Sequence, residues 1–162
     1  MPQKPEYKER LERILRRARR WYRARHAMHD GLVMAIVAAS GAFVLMLLAG
    51  LGFVDTAVWT VGAPAAAGLV LGGLLVGAVR PLNDQVVLAG LDRDHGLQNA
   101  LSTTRELVLG GGRLTELAHC HVRQSLTRAE RLGLARTMTA DLGGHARILG
   151  VLCLCIASVA LI

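Results

Sequence analysis

His119, Cys120 and His121 stand side by side and are the nearest thing to a metal-ligand cluster in this 162-residue chain, with His95 and His145 elsewhere. On a helix each residue turns by about 100°, so His119 and His121 diverge. No HxxxH or CxxC spacing accompanies them, and zinc is not expected. Gly110-Gly111-Gly112 is followed by Arg113-Leu114 instead of Lys-Ser/Thr, so it is no phosphate-binding loop. No nucleophile elbow and no G-x-G-x-x-G occur. The densest run of charge is Asp92-Arg93-Asp94, closed by Gly96 and followed later by Arg105-Glu106. These types fit a helix end and turn whose charges pair with one another better than an acid–base site. No catalytic, cofactor or metal residue is therefore expected, and the chain does not read as an enzyme.

The elements that carry these residues follow from the hydropathy. Apolar residues make up 52% of the chain and charged ones only 19%, at a mean hydropathy of +0.39. Disorder, a collagenous repeat and a disulfide scaffold are excluded. The apolar residues are pooled: residues 31–54, 56–79 and 148–162 contain no Asp, Glu, Lys or Arg. Twenty-four helical residues reach about 36 Å, against a hydrocarbon core of about 30 Å. Barrel strands are shorter and alternate, so helix is the expected form. The third block reaches about 22 Å and borrows Ala146 and Arg147, the latter snorkelling. It stops on Leu161 and Ile162 without a polar flank, so the native polypeptide, or a homologue of it, is expected to continue beyond this point. The first block is too long, and too far from the start, for a cleaved signal segment. The expected architecture is an all-α integral membrane protein: a basic amphipathic helix over 1–30, transmembrane helices over 31–54 and 56–79, a cytoplasmic helical insert over 80–146, and a third transmembrane helix over 147–162.

Charge orients it. Residues 1–30 carry ten Lys/Arg against four Asp/Glu, the turn between the first two blocks only Asp55, and residues 80–147 nine Arg against seven acids. The two basic segments fall on one side of the hairpin, which is then cytoplasmic, N-terminus included. Cys120 lies on that side and Cys153 and Cys155 inside the third block; all three are expected to be unpaired, buried small residues.

Within 1–30, Tyr7, Leu11, Ile14, Ala18, Trp21 and Met28 recur at helical steps, widened by Leu15 and Tyr22. Arg10, Arg13, Arg16, Arg17, Arg19, Arg20 and Arg23 occupy the other faces. This pattern describes an interfacial helix lying on a leaflet of anionic lipid, with Trp21 and Tyr22 at headgroup level. A positive-inside flank explains the arginines without nucleic acid, which is not an expected partner. In the second block Gly68 and Gly72, and Gly73 and Gly77, form two small-xxx-small faces for helix packing within the hairpin or between copies.

The insert reads as three short helices: Leu82, Val86, Ala89 and Leu91 on the first; Leu97, Leu101, Thr104 and Leu107 or Val108 on the second; Leu114, Ala118, Val122, Leu126 and Ala129 on the third. Such narrow stripes need a partner: one another, the membrane surface or another protein. Residues 91–107, LDRDHGLQNALSTTREL, resemble an LDR-x-x-GL-x-x-x-LSTA-x-EL pattern. It occurs in the N-terminal membrane region of large uncharacterised bacterial membrane proteins encoded near MoxR-type AAA ATPases and von Willebrand A-domain proteins. There, two spans precede the motif, and a helical stretch and third span follow. The resemblance runs from about residue 30 onward and departs at Thr104, where the family favours Ala. It implies topology and bacterial origin, not an activity.

The expected function is a non-enzymatic anchor or assembly subunit of a bacterial inner-membrane complex, with a protein partner or a second copy. Leu91, Asp92, Arg93, Gly96, Leu97, Leu101, Glu106 and Leu107 are its candidate partner contacts. The rival is a small oligomeric transport or pore-forming protein. Against it, residues 31–54 and 56–79 hold no ionisable group to line a path.

Overall fold

The computed structural model describes residues 4–110, 112, 114–133 and 139–160, and these are all-helical. Helix α1 covers Lys4–Gly50, a 3-10 turn Thr56–Val58 leads into α2 (Trp59–Val79), and α3 (Asp84–Asp94), α4 (Ala100–Leu109), α5 (Glu116–Glu130) and α6 (Thr139–Ala160) follow. The chain forms two compact units, Met1–Tyr22 with Pro81–Thr137, and Arg23–Arg80 with Met138–Ile162.

The expected boundary at residue 30 is not a helix break. No proline interrupts this stretch, and a single Gly31 costs a helix only about 1 kcal/mol, so α1 continues to Gly50. It stops there for a local reason. Gly52 takes φ +76°, Phe53 N–H donates to the Leu48 carbonyl at 2.9 Å, and Gly52 N–H donates to Ala49 at 3.0 Å. This is a Schellman ending, which requires a left-handed residue that only glycine adopts without penalty. Helix α2 ends because Pro81 forces Arg80 into extended geometry (ψ 127°).

In the first unit, one core gathers Tyr7, Leu11, Ile14, Leu15 and Ala18 of α1, Val87, Leu88 and Leu91 of α3, Leu97, Leu101 and Val108 in and before α4, and Val122, Leu126 and Ala129 of α5. Leu88, Leu101 and Leu126 are fully buried, each contributing about 1.5–3 kcal/mol relative to exposure. The three insert helices and the start of α1 thus supply one another's missing apolar partners. The third expected stripe matches in Val122, Leu126 and Ala129, and the second resolves in favour of Val108. The first is out of phase. Leu82 precedes the helix, α3 starts only at Asp84 behind an Asn83 cap, and its inward face is Val87, Leu88 and Leu91. Val86 is 64% exposed.

The core also corrects the reading of 1–30. The stripe Tyr7–Leu11–Ile14–Leu15–Ala18 was expected to lie on a leaflet. It is instead packed inside protein, with Trp21 and Tyr22 partly buried against the same core. An amphipathic pattern shows which face seeks an apolar medium, not which medium supplies it.

In the second unit, Gly73 and Gly77 pack against α1. On α6, the half-buried stripe is His145, Leu149, Leu152 and Ile156, and the His145 ring meets His29 edge-on at 4.8 Å. This phase turns Cys153 and Cys155 outward. Both, like Cys120, are free but exposed rather than buried.

Candidate functional site

The segment singled out by sequence, residues 91–107, is the corner between α3 and α4. Leu97 N–H donates to the Asp92 carbonyl at 2.8 Å and Gly96 N–H to Arg93 at 3.3 Å, with Gly96 at φ +61°. Here again a Schellman motif ends the helix. Gln98 and Asn99 then adopt left-handed φ of 51° and 63°, which non-glycine residues take only when surroundings enforce it. What enforces it is Asp92. Its carboxylate is 2% exposed and accepts from Leu101 N–H at 3.0 Å, Ser102 N–H at 3.0 Å and the Ser102 hydroxyl at 2.9 Å. A helix N-terminus leaves such amides without partners and favours negative charge. Asn99, at the capping position, offers no side-chain bond. Asp92 of α3 therefore caps α4 from outside.

This overturns the expectation that 91–107 presents a contact face. Leu91, Asp92, Leu97 and Leu101 are buried, Leu107 is partly buried against the core, and Arg93, Gly96 and Glu106 alone of the candidates stay exposed. Nor does Asp92 pair with Arg105; its carboxylate is occupied by α4 amides. Asp94 accepts from the Tyr22 hydroxyl at 3.0 Å. Asp92, Gly96 and Ser102 serve the corner, and Leu91, Leu97 and Leu101 the core.

Comparison of the chain with protein-family models, curated proteins and solved structures finds no match. What the site can do is thus read from its own geometry.

Arg10 and Arg19 tie α1 to its neighbours by ion pairs. Arg10 grips Glu130 of α5 bidentately, Nε to Oε1 at 2.9 Å and Nη2 to Oε2 at 2.8 Å. Arg19 Nε donates to Asp84 of α3 at 2.8 Å. Lys4 Nζ reaches the Gly110 and Gly112 carbonyls beyond the end of α4, a favourable place for a cation. Arg10 is among the arginines expected to meet anionic lipid; the structure commits it to Glu130. Spacing could not reveal a bond 120 residues distant. Arg13 has Glu9 at 3.3 Å, both largely exposed. Arg13, Arg16, Arg17 and Arg20 are exposed along α1, as is Arg23 in the other unit.

The Arg10 hydrogen bond holds the Glu130 carboxyl below its ordinary value, against a smaller desolvation effect. A depressed folded-state value stabilises the fold above the unfolded pKa and loses that as pH falls through the folded one. With both groups partly exposed, the effect is at most about 1 kcal/mol. Stability is expected to decline modestly on acidification below about pH 4.3, and Glu130→Gln to remove that part of the decline in chemical denaturation at pH 3–7.

Thr104 is fully buried and its hydroxyl has no hydrogen-bond partner. Thr104→Val keeps the shape and deletes that hydroxyl, so stability is expected to rise by about 1 kcal/mol, read as a higher midpoint at unchanged denaturant slope.

An apolar groove of about 510 Å³ lies between the starts of α1 and α5, lined by Tyr7, Leu114, Leu117, His119 and Cys120 with Glu116 and Arg123. The His119 ring sits 5.7 Å from that of Tyr7. Among the described residues no three metal-ligating side chains converge.

Proposed function

We propose that this chain is a three-span bacterial inner-membrane protein with a cytoplasmic N-terminus, whose helical bundle serves as an anchor or assembly subunit of a membrane complex. One observation carries the reading. Two helices, Lys4–Gly50 and Trp59–Val79, are long and apolar enough to cross a membrane, and their apolar windows are 0% and 11% buried. A core helix of a soluble protein would hide such a surface. Here Val37, Val44, Leu71, Leu75 and Val76 are all more than half exposed, an aliphatic area that water does not tolerate and lipid does. The charged unit, by contrast, buries its own apolar residues. Gly143–Ser158 is a shorter apolar stretch and is assigned as the third span, in agreement with the resemblance of residues 91–107 to the bacterial membrane proteins named above. The anchor role is supported by the absence of ionisable groups in residues 31–54 and 56–79 and by the structural use of Asp92.

Topology is tested by thiol labelling in a Cys153→Ser, Cys155→Ser background. An impermeant maleimide is expected to reach Cys120 in inverted vesicles, and Phe53→Cys (77% exposed in the wild type) in intact spheroplasts. Labelling of both from one side would overturn the hairpin. For the subunit role, crosslinking in native membranes should yield a discrete protein adduct; recovery of lipid alone refutes it.

A further inference from the structure

We infer that His29 and His145 form a proton-operated latch: the start of α6 rests on α1 while at most one of the two rings is charged, and leaves it when both are. The inference concerns the second unit alone and does not depend on the anchor role. The two rings belong to different helices and meet edge to face, with centroids 4.8 Å apart and planes at 69°. His145 heads the half-buried stripe of α6, with Leu149, Leu152 and Ile156 following at steps of four, three and four, so the contact closes one end of that stripe. Each histidine also stands just outside an uncharged run, two residues before Gly31 and three before Ile148. The His29 side chain is 42% exposed, so protons reach the pair.

The chemistry follows from the side chain. Two neutral imidazoles pack as other aromatic rings do, the positive edge of one on the face of the other. Imidazole is also the side chain whose ordinary titration falls between pH 5 and 8. One proton is accommodated. His29 Nδ1 lies 3.3 Å from Asp30 Oδ1; a carboxylate only accepts, so that nitrogen carries hydrogen, and Asp30 balances the charge when the ring becomes imidazolium. An imidazolium edge on a neutral ring is also attractive. A second proton turns that ring positive and sets two cations 4.8 Å apart. The neighbourhood does not offset them. Within four residues of His29, α1 carries Arg25, His26 and Asp30, and Arg80 after α2 is close enough to act on His26. On α6, Asp141 stands one turn before His145 and Arg147 two residues after it. Three arginines against two carboxylates leave the surroundings cationic before either histidine charges. Burial, and then Arg80, push the His26 imidazole below its ordinary value, so it stays out of this titration. Docked helices disfavour the second proton, and by linkage acid separates them while alkali closes them.

The test uses the full chain in neutral detergent, with Cys120, Cys153 and Cys155 changed to serine and spin labels at A24C on α1 and A146C on α6, both exposed positions. Electron paramagnetic resonance reads the distance between the labels at pH 8 and pH 5, above the range in which Glu130 responds. A single short distance is expected at pH 8. At pH 5 the ratio of separated to docked molecules should rise about ten-fold or more, at unchanged helicity by circular dichroism. H145F keeps an aromatic edge that cannot take a proton, so its distance should stay short at both values, as should that of H29Q. H29R/H145R carries both charges permanently and should be separated already at pH 8. A distance unchanged between pH 8 and pH 5 with both histidines present overturns the latch. So does a rise of equal size in H145F or H29Q, or a pair of helices already apart at pH 8 without the arginines. None of these results touches the membrane reading, which carbonate extraction tests on its own.

Discussion

Replacing Gly77 with leucine is expected to force α1 and α2 apart and cost about 3 kcal/mol or more of stability, whereas the same change at Gly68 is expected to cost almost nothing. A Cβ built on Gly77 would stand 2.6 Å from the Ala27 Cα and 2.6 Å from the His26 carbonyl oxygen. Both are backbone atoms of α1, which no rotamer change can move. A Cβ on Gly73 meets the Asp30 carbonyl at 2.8 Å as well as the flexible Met34 side chain. These two glycines, four apart, therefore form the face on which the helices touch, and in a bilayer such close approach replaces the hydrophobic drive that lipid cannot supply. Gly68 and Gly72 have nothing within 4 Å of a built Cβ. An SDS titration of the protein in mixed micelles, followed by circular dichroism, separates the pair. A leucine at position 77 that leaves the midpoint untouched would show that the two helices do not pack in this way.

The second large effect is expected at Asp92. Asp92→Ala leaves the amides of Leu101 and Ser102 and the Ser102 hydroxyl without their acceptor, at a helix start whose own capping residue gives none. Loss of about 3–4 kcal/mol is expected, since each hydrogen bond to a charged acceptor contributes about 1.5–3 kcal/mol and stranded buried donors carry a further penalty. Asp92→Asn keeps one acceptor oxygen of similar shape and should fall between. Chemical denaturation ranks the three proteins, and amide exchange at Leu101 and Ser102 shows where the damage lies: both should exchange faster in the Ala protein than in wild type. Equal stability of the Ala protein and the wild type would remove Asp92 from its capping role. A catalytic part for Asp92 would predict the opposite pattern, a stable but inactive Ala protein; both carboxylate oxygens are engaged by α4 and the residue is 2% exposed.

Much of this architecture is legible in residue order because it is local. Gly52 and Gly96 end helices through φ values that glycine alone takes freely, Pro81 turns Arg80 out of the helix, and the uncharged runs of 31–54 and 56–79 admit helix and little else. Two of the three insert stripes were in phase for the same reason. The first failed in part because the Asn83 side chain, accepting from Gln85 N–H at 3.1 Å, starts α3 after Leu82, and in part because Val87 and Leu88 rather than Val86 and Ala89 face the core.

Residue order alone thus shows that the chain is helical, that Gly52, Pro81 and Gly96 end helices, and that Arg13, Arg16, Arg17 and Arg20 share a side. Folding settled what each face meets. The stripe of α1 found α3, α4 and α5 instead of lipid; Arg10 and Arg19 found acids 120 and 65 positions away; Asp92 found amides nine and ten residues on; and of two equivalent glycine pairs, only Gly73 and Gly77 received a neighbour. Periodicity describes a single helix viewed down its own axis, while partners are chosen by the burial and hydrogen bonding of all of them together.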